Sequence, residues 1–119
     1  MSEQSHIYVE DRDGVAVVRF EDRKIIDELV IQELGSELMA LVDDQQRMKI
    51  VLNFENVEFL SSAALGKLIL LDKRAKEAGG LVKLCEIRNE IYTAFKITKL
   101  NERFDIQATE DDAVSGFQG

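Results

Sequence analysis

The sequence of 119 residues has no proline, a single cysteine and a single histidine, and no long hydrophobic run. One cysteine, Cys85, excludes a disulfide within the chain and is typical of a reducing compartment. Because Cys85 lies in an apolar, strand-like run, we expect a buried and unreactive thiol. No apolar stretch approaches the roughly 20 residues of a membrane-spanning helix, and no secretory signal is visible. We therefore expect a cytoplasmic protein without a membrane partner.

Sequence signatures of catalysis and of metal binding are also missing. The only histidine, His6, falls near the N-terminus, where we expect a mobile segment. Without a second histidine or cysteine nearby, neither a Ser-His-Asp constellation nor a His/Cys metal cluster is supported. The glycines form no phosphate-binding G-x-x-x-x-G-K-[ST] loop. We therefore expect no catalytic residue, no metal site and no cofactor, and a protein that acts by binding rather than as an enzyme.

The charge balance constrains the partner. The chain has 15 Lys and Arg against 23 Asp and Glu, a formal net charge of -8. Proteins that bind nucleic acid directly rely on basic patches, so a direct nucleic-acid partner is not expected. An acidic chain instead favours a protein partner with a basic or mixed surface.

What the sequence does contain is a succession of short apolar segments. Residues 7–9 and 15–20 read as two strands, and the Asp-Gly within residues 11–14 predicts a hairpin turn between them. From residue 27 to residue 42 the apolar period changes to that of a helix. Gly35 within this helix suggests close packing. The predicted apolar stripe consists of Ile26, Leu29, Val30, Leu34, Leu38, Leu41 and Val42.

The most informative stretch is residues 49–80. Residues 50–54 (IVLNF) are short, apolar and β-branched enough for a strand buried on both faces. A connection leads to Ser61 and Ser62, after which apolar residues recur at helical spacing. The predicted stripe is Ala63, Ala64, Leu65, Leu68, Ile69 and Ala75. Gly79 and Gly80 then end the helix, since glycine adopts the left-handed conformation of a C-terminal cap without strain.

A third unit completes the domain. Residues 81–87 predict a strand parallel to the previous one, and Asn89 is a plausible N-cap for a short helix. Residues 104–106 predict a last strand, followed by a closing helix from Thr109 with acidic residues at its positive end. The order is ββαβαβαβα, an α/β (α+β) fold around a small mixed sheet. We expect a single domain spanning residues 5–117.

Two hydroxyl groups thus lie where a strand leads into a helix N-terminus. Free backbone N–H groups and the helix dipole favour an anion at this position. A serine here can cap the helix, worth about 1 kcal/mol, and we expect Ser61 to be that N-cap. Either serine could also accept a phosphoryl group, whose roughly two negative charges would change the surface that a partner meets. Ser62, and secondarily Ser61, are the candidate phosphoacceptors.

The segment from Val57 to Gly66 (VEFLSSAALG) is similar to the motif V-x-F-[IM]-D-S-[ST]-G-L-G of the STAS domain family. Residues 78–85 (AGGLVKLC) and residues 95–100 (FKITKL) resemble two further family segments, a G-G followed by an apolar strand and F-x-[IL]-[ST]-G-L. The three segments align without gaps. The chain therefore resembles a bacterial anti-sigma factor antagonist, with the family's small mixed sheet and helices packed mainly on one face.

The resemblance implies a function in partner switching. In this family the dephosphorylated antagonist binds an anti-sigma factor that is also a serine kinase of the GHKL type, which releases the sigma factor. Phosphorylation of the second hydroxyl residue of the D-S-[ST]-G motif blocks that binding. The present sequence departs from the motif: Ser61 replaces the aspartate, Ser62 the first serine, Ala63 the phosphoacceptor and Ala64 the glycine.

Two interpretations follow from this departure. Either the cognate kinase uses Ser62 or Ser61, or the chain is a scaffold or regulatory module that cannot be phosphorylated and belongs to a larger signalling assembly. For the soluble antagonist, we expect a monomer or weak homodimer. The resemblance places the partner-binding residues at Glu58, Phe59, Leu60, Ser61, Ser62, Ala63, Ala64 and Lys67.

Overall fold

The computed structural model describes residues 5–117. In chain order its strands and helices are β1 (Ile7–Arg12), β2 (Val15–Phe20), β3 (Lys24–Ile25), α1 (Glu28–Asp43), β4 (Lys49–Asn53), β5 (Phe59–Leu60), α2 (Ser62–Glu77), β6 (Leu81–Cys85), α3 (Asn89–Ile97), α4 (Leu100–Arg103), β7 (Asp105–Gln107) and α5 (Glu110–Ser115). The predicted order is present, with two short strands and one helical turn added to it.

The main sheet has five strands in the order β1-β2-β4-β6-β7. β1 and β2 are antiparallel, and the other three pairs are parallel, so the sheet is mixed as predicted. The hairpin between β1 and β2 has Asp13 and Gly14 at its tip, both with positive φ (52° and 84°). This is the geometry that an Asp-Gly turn favours, because its twist matches that of the flanking strands.

Alternating side chains of the central strands divide between two hydrophobic clusters, as the period of two requires. In β4, Ile50 and Leu52 belong to the larger cluster, which also takes in side chains of α1, α2, α3 and α4. Val51 points to the other face, where Ala113 and Val114 of α5 cover it. Four helices therefore pack on one face and α5 on the other, and β4 is buried on both.

The stripe predicted for α1 is partly wrong. Ile26 and Leu29 are 59% and 63% exposed, whereas Ile31, outside the predicted stripe, is buried with Leu34, Leu38, Leu41 and Val42. The helix begins after Asp27, whose side chain caps it by accepting from the N–H groups of Leu29 and Val30. Ile26 therefore precedes the helix, and its spacing to the later residues has no helical meaning.

The predicted close packing at Gly35 and the predicted end of α2 are both confirmed. A Cβ added at Gly35 would lie 2.8 Å from Cδ of Lys67, so the stem of Lys67 crosses α1 where a side chain is missing. Gly79 follows the last turn of α2 with φ of 92°. This left-handed conformation satisfies the end of the helix at no steric cost to glycine.

Three local predictions need correction. β3 and β5 form a separate, parallel two-stranded sheet, whereas the sequence predicts a connection at residues 55–60 and no element at residues 24–25. Asn89 is the first residue of α3 rather than its cap; Arg88 holds the cap position and makes no side-chain capping bond. His6, expected in a mobile segment, is only 7% exposed, and both of its ring nitrogens have partners.

Lys99 offers a test of the backbone geometry. It has φ of 62° and ψ of 17°, a left-handed conformation that costs a residue with a Cβ about 1–2 kcal/mol. Replacing Lys99 by glycine removes this cost but adds flexibility to the unfolded chain, so Lys99→Gly should raise the free energy of unfolding by about 0.5–1 kcal/mol. Urea unfolding measures it. Lys99→Ala is the control, since it keeps the strain; equal stability of the two variants would contradict the argument.

Candidate functional site

The predicted serine corner lies at the carboxyl end of β4, where the chain crosses from the main sheet to α2. Phe54 follows β4 and is fully buried, and its carbonyl accepts from the N–H of Val57 in a turn. β5 then pairs with β3, and the N–H of Ser61 donates to the carbonyl of Ile25 at 3.1 Å. The small second sheet therefore fixes the backbone immediately before α2.

Ser61 is the N-cap of α2. Its backbone is extended, and its Oγ accepts from the N–H of Ala64 at 3.2 Å. This bond satisfies one of the free N–H groups at the start of the helix. The hydroxyl of Ser61 is therefore already bonded to the backbone, and its side chain is half-buried.

Ser62 and Ala63 occupy the first two positions of α2, and both are exposed. Among residues 5–117 the hydroxyl of Ser62 has no hydrogen-bond partner, in contrast to that of Ser61. Successive residues of a helix are turned by about 100°. Ser62 therefore presents its hydroxyl in a direction different from that of Ala63, which holds the family's phosphoacceptor position.

The other predicted partner-binding residues differ in their exposure. Phe59 is 56% exposed, with Nζ of Lys24 lying 5.6 Å from its ring centroid. Glu58 and Leu60 are half-buried, as is Lys67, whose stem packs on α1. Ala64 is only 1% exposed and belongs to the larger core cluster. Its side chain has no access to a partner, and we remove it from the predicted surface.

Two exposed apolar residues near this corner were not among the predicted partner-binding residues. Ile26 follows Ile25, whose carbonyl accepts from Ser61, and Leu29 lies in the first turn of α1. α1 and α2 run in the same direction, as the contact of Gly35 with Lys67 and the ion pair of Asp43 with Arg74 require. Their N-termini therefore lie at the same end. Nothing in the sequence except their apolar character marks Ile26 and Leu29, and that character predicts core positions rather than a surface.

A shallow groove of about 390 Å³ adjoins the corner between β5 and α3. Residues of both signs line it together with apolar ones: Glu58, Phe59, Leu60, Arg88, Glu90, Ile91 and Ala94. Arg88 donates to the carbonyl of Glu55 at 3.3 Å and so connects α3 to the loop before β5. We call the exposed residues Ile26, Leu29, Phe59, Ser62 and Ala63, with this groove, the corner surface.

The opposite face of the sheet carries an ion-pair network centred on Glu110. Glu110 accepts from Arg12 at 2.6 Å, from Arg19 at 2.8 Å and from Asn53 at 2.7 Å. Burial acts to raise the pKa of Glu110, but the hydrogen bonds from Asn53 and Arg12 and the charge of Arg19 outweigh it and lower the pKa. The network stabilises α5 against the sheet.

Cys85 is fully buried, as predicted. Burial is the main reason that its pKa is raised to about 12, so the thiol is protonated and unreactive at neutral pH.

Within residues 5–117 no group of His, Cys, Asp and Glu side chains could hold a metal ion. No helix in the same range is long and apolar enough to cross a membrane.

The comparisons with known proteins agree with this architecture. Residues 6–113 match the sequence model of the STAS domain family. BtrV of Bordetella bronchiseptica, assigned as an anti-sigma factor antagonist, is 28% identical over 87 residues, which cover 73% of this chain and 74% of BtrV. The chain belongs to the STAS domain family, and the predicted membership is confirmed.

Solved structures of the same family superpose closely. An anti-sigma-factor antagonist (STAS) domain protein from Planctomyces limnophilus has a TM-score of 0.85 at 23% identity, covering 95% of this chain and 98% of that one. An anti-sigma factor antagonist from Mycobacterium paratuberculosis has a TM-score of 0.82 at 26% identity, with 95% and 93% of the two chains covered. The fold predicted from the sequence is therefore the fold observed.

The different states of the two serines give a test of the site. Ser61→Ala removes the N-cap and should lower the free energy of unfolding by about 1 kcal/mol, whereas Ser61→Asp keeps an acceptor for the N–H of Ala64 and should lose little. Ser62→Ala is the control and should change stability by less than about 0.5 kcal/mol, because no side-chain hydrogen bond to the described residues 5–117 is lost. Chemical denaturation compares them. A larger loss for Ser62→Ala than for Ser61→Ala would reverse the assignment.

Proposed function

We propose that this protein is an anti-sigma factor antagonist, which binds an anti-sigma factor through the corner surface and thereby releases a sigma factor. The family membership and the assigned function of the relatives support this proposal. The observation that carries it is the exposed hydroxyl of Ser62, which has no hydrogen-bond partner in the described part of the chain and lies beside exposed apolar side chains at the N-terminus of α2.

The composition of the corner surface suits binding of a protein. Ile26, Leu29 and Phe59 are each more than half exposed, at 59%, 63% and 56%. Exposed apolar side chains that are grouped together favour an interaction site, since their burial against a partner contributes about 25 cal/mol per Å². The backbone beneath Phe59 is fixed by its pairing with β3, so little ordering of the main chain opposes binding.

We further propose that the anti-sigma factor is a GHKL-type serine kinase and that Ser62 is the phosphoacceptor. Its Oγ would attack the γ-phosphorus of ATP and lose its proton, and ADP would leave. The phosphate would gain from the positive end of α2. It would also place about two negative charges, with their hydration water, among the exposed apolar side chains of the corner surface. Taking those charges out of water against an apolar contact is costly, so the phosphate would oppose binding of the partner.

The kinase proposal predicts where phosphate appears. Incubation of the protein with the serine-kinase anti-sigma factor of its own genome and ATP should give a phosphorylated peptide with the modification on Ser62, detected by mass spectrometry. Ser62→Ala should abolish the signal, and Ser61→Ala should retain it. Absence of phosphate from both serines would remove the switch while leaving the binding function intact.

A charge at position 62 should weaken the complex. Ser62→Asp places a carboxylate where the helix dipole tolerates it, so the fold is kept. We expect binding to the anti-sigma factor to weaken by roughly tenfold, about 1.4 kcal/mol, measured by calorimetry. Ser115→Asp is the matched control, because Ser115 is also exposed but lies on α5 across the sheet. Equal affinities of the two variants would contradict a role for position 62.

Ala63 gives a second test, by gain of function. It is exposed, so Ala63→Ser adds a hydroxyl at the family's phosphoacceptor position without disturbing the core. If the kinase still recognises the family's geometry, Ala63→Ser should be phosphorylated at residue 63, and the Ser62→Ala/Ala63→Ser variant should be modified there alone. A double variant that stays unmodified, while the wild type is modified at Ser62, would mean that the kinase has adapted to Ser62.

The alternative function is that of a non-switching scaffold or regulatory module in a larger assembly. The alanine at position 63 favours it, because the hydroxyl that the family modifies is missing. Light scattering of the pure protein separates the two functions: particles much larger than the 13.5 kDa chain favour the scaffold, and a monomer or weak homodimer favours the soluble antagonist.

A further inference from the structure

His6 lies buried between two parts of the chain, the connection from β2 to β3 and the helix α1. Its Nδ1 is 2.7 Å from a carboxylate oxygen of Asp22, and its Nε2 is 2.8 Å from one of Glu33. Its backbone N–H donates to the carboxylate of Glu37 at 2.9 Å. Among residues 5–117, the charged side chains that face His6 are therefore Asp22, from the connection between β2 and β3, and Glu33 and Glu37, from α1. All three are acidic.

The geometry specifies the charge state of the ring. A neutral imidazole has one N–H group and one bare nitrogen. A carboxylate can only accept, so a bare nitrogen 2.7–2.8 Å from a carboxylate oxygen would bring two lone pairs together. With both carboxylates ionised, both contacts are favourable only when both nitrogens carry protons. His6 is thus built into the fold as an imidazolium.

The two carboxylates belong to the segments that carry the corner surface. Asp22 lies two residues before β3, which pairs with β5 and so holds Phe59 and Leu60 in place. Glu33 lies on α1, one turn after Leu29. Ile26 is located in the short stretch between β3 and α1. The imidazolium therefore ties together the two elements on which the exposed apolar residues of the corner surface stand.

We propose that protonation of His6 controls the corner surface, so that the doubly bonded imidazolium holds the β3 segment against α1 and loss of its proton releases one of them. This inference rests on the proposed function only in taking the corner surface as the place where the partner binds. When the proton leaves, one carboxylate must turn away from the ring. The β3–β5 pair then loses this polar contact with α1, and partner binding weakens as the pH rises.

The pKa of His6 is shifted upward, in the direction that the proposal requires. The hydrogen bond to Glu33 raises the pKa of His6 above its ordinary value; burial acts against it, and the bond to Asp22 adds to the rise. A raised pKa in the folded state means that the bridge stabilises the fold fully below the pKa of the unfolded chain, about 6.5. That stabilisation is lost as the pH increases through the higher pKa of the folded state.

The chain makes the test direct, because His6 is its only histidine. In proton NMR the imidazole Hε1 resonance should titrate with a midpoint above 6.5. The backbone amides of Lys24, Ile25 and Phe59 should shift with the same midpoint. A His6 midpoint at or below 6.5 would overturn the proposal, and so would a raised midpoint with amides that do not follow it.

Glu33→Gln is the decisive variant, because the glutamine amide can donate to a bare ring nitrogen, which a carboxylate cannot, and the contact with His6 is kept. A neutral His6 can donate from Nδ1 to Asp22 and accept at Nε2 from the amide of Gln. The His6 midpoint should fall, and the loss of stability to urea between pH 6 and pH 8.5 should be smaller than in the wild type. Asp44→Asn removes the same charge from the far end of α1 and should keep the wild-type midpoint. A midpoint that Glu33→Gln leaves unchanged would overturn the bridge.

These measurements do not need the partner, so they remain informative if the proposed function fails. With the anti-sigma factor available, the affinity of the wild type should decrease above the His6 midpoint, whereas that of Glu33→Gln should change much less. Binding that is equally pH-dependent in both proteins would overturn the control of the surface. Absence of binding at every pH would count against the proposed function instead.

Discussion

The burial of β4 on both of its faces is the constraint on which the rest of the structure depends. Ile50, Val51 and Leu52 have no exposed surface, and parallel neighbours on either side satisfy the backbone of the strand. Because β6 is parallel to β4, the chain must cross over one face of the sheet between them. The crossover starts at the carboxyl end of β4, and its helix, α2, therefore begins near that end of the sheet.

The exit from β4 is fixed from both sides of the sheet. Asn53 accepts from the N–H of Glu55 at 2.9 Å and donates to Glu110 on the α5 face. Phe54 turns into the opposite core, where its ring lies 4.9 Å from that of Phe20 and 6.5 Å from that of Phe95. With both residues held, the chain enters β5 from a defined position. The main chain under the corner surface is thus fixed before a partner binds, so binding has little conformational entropy to lose there.

Local chemistry explains which parts of the fold could be predicted from the sequence. The N-cap at Ser61, the glycine after α2 and the Asp-Gly hairpin each depend on a few neighbouring residues, and all three are confirmed. β3 and β5 are two residues long and have no periodicity; they exist because distant segments pair. His6 gave no local signal either, since its partners are 16 and 27 residues away.

The misassigned apolar residues show how core and interface are confused in a sequence. Leu29 and Leu34 are five residues apart, a rotation of about 500° at 100° per residue, which places them about 140° apart around the helix. Ile31, Leu34, Leu38 and Leu41 do share a face. An apolar residue off that stripe has no core to enter and stays exposed, as Leu29 does. Comparison of phase along the helix, rather than apolar character alone, would have separated Leu29 from the core.

The exposed apolar residues also constrain the kind of partner. Lys24 lies over the ring of Phe59, and Glu58 pairs with Arg23 at 3.8 Å. Arg88 lines the groove beside them. Although the chain has a net charge of -8, the corner surface therefore presents charges of both signs around its apolar centre. Such a surface complements a partner whose own charges are mixed, and matching of the charges fixes the orientation of the partner as well as its identity.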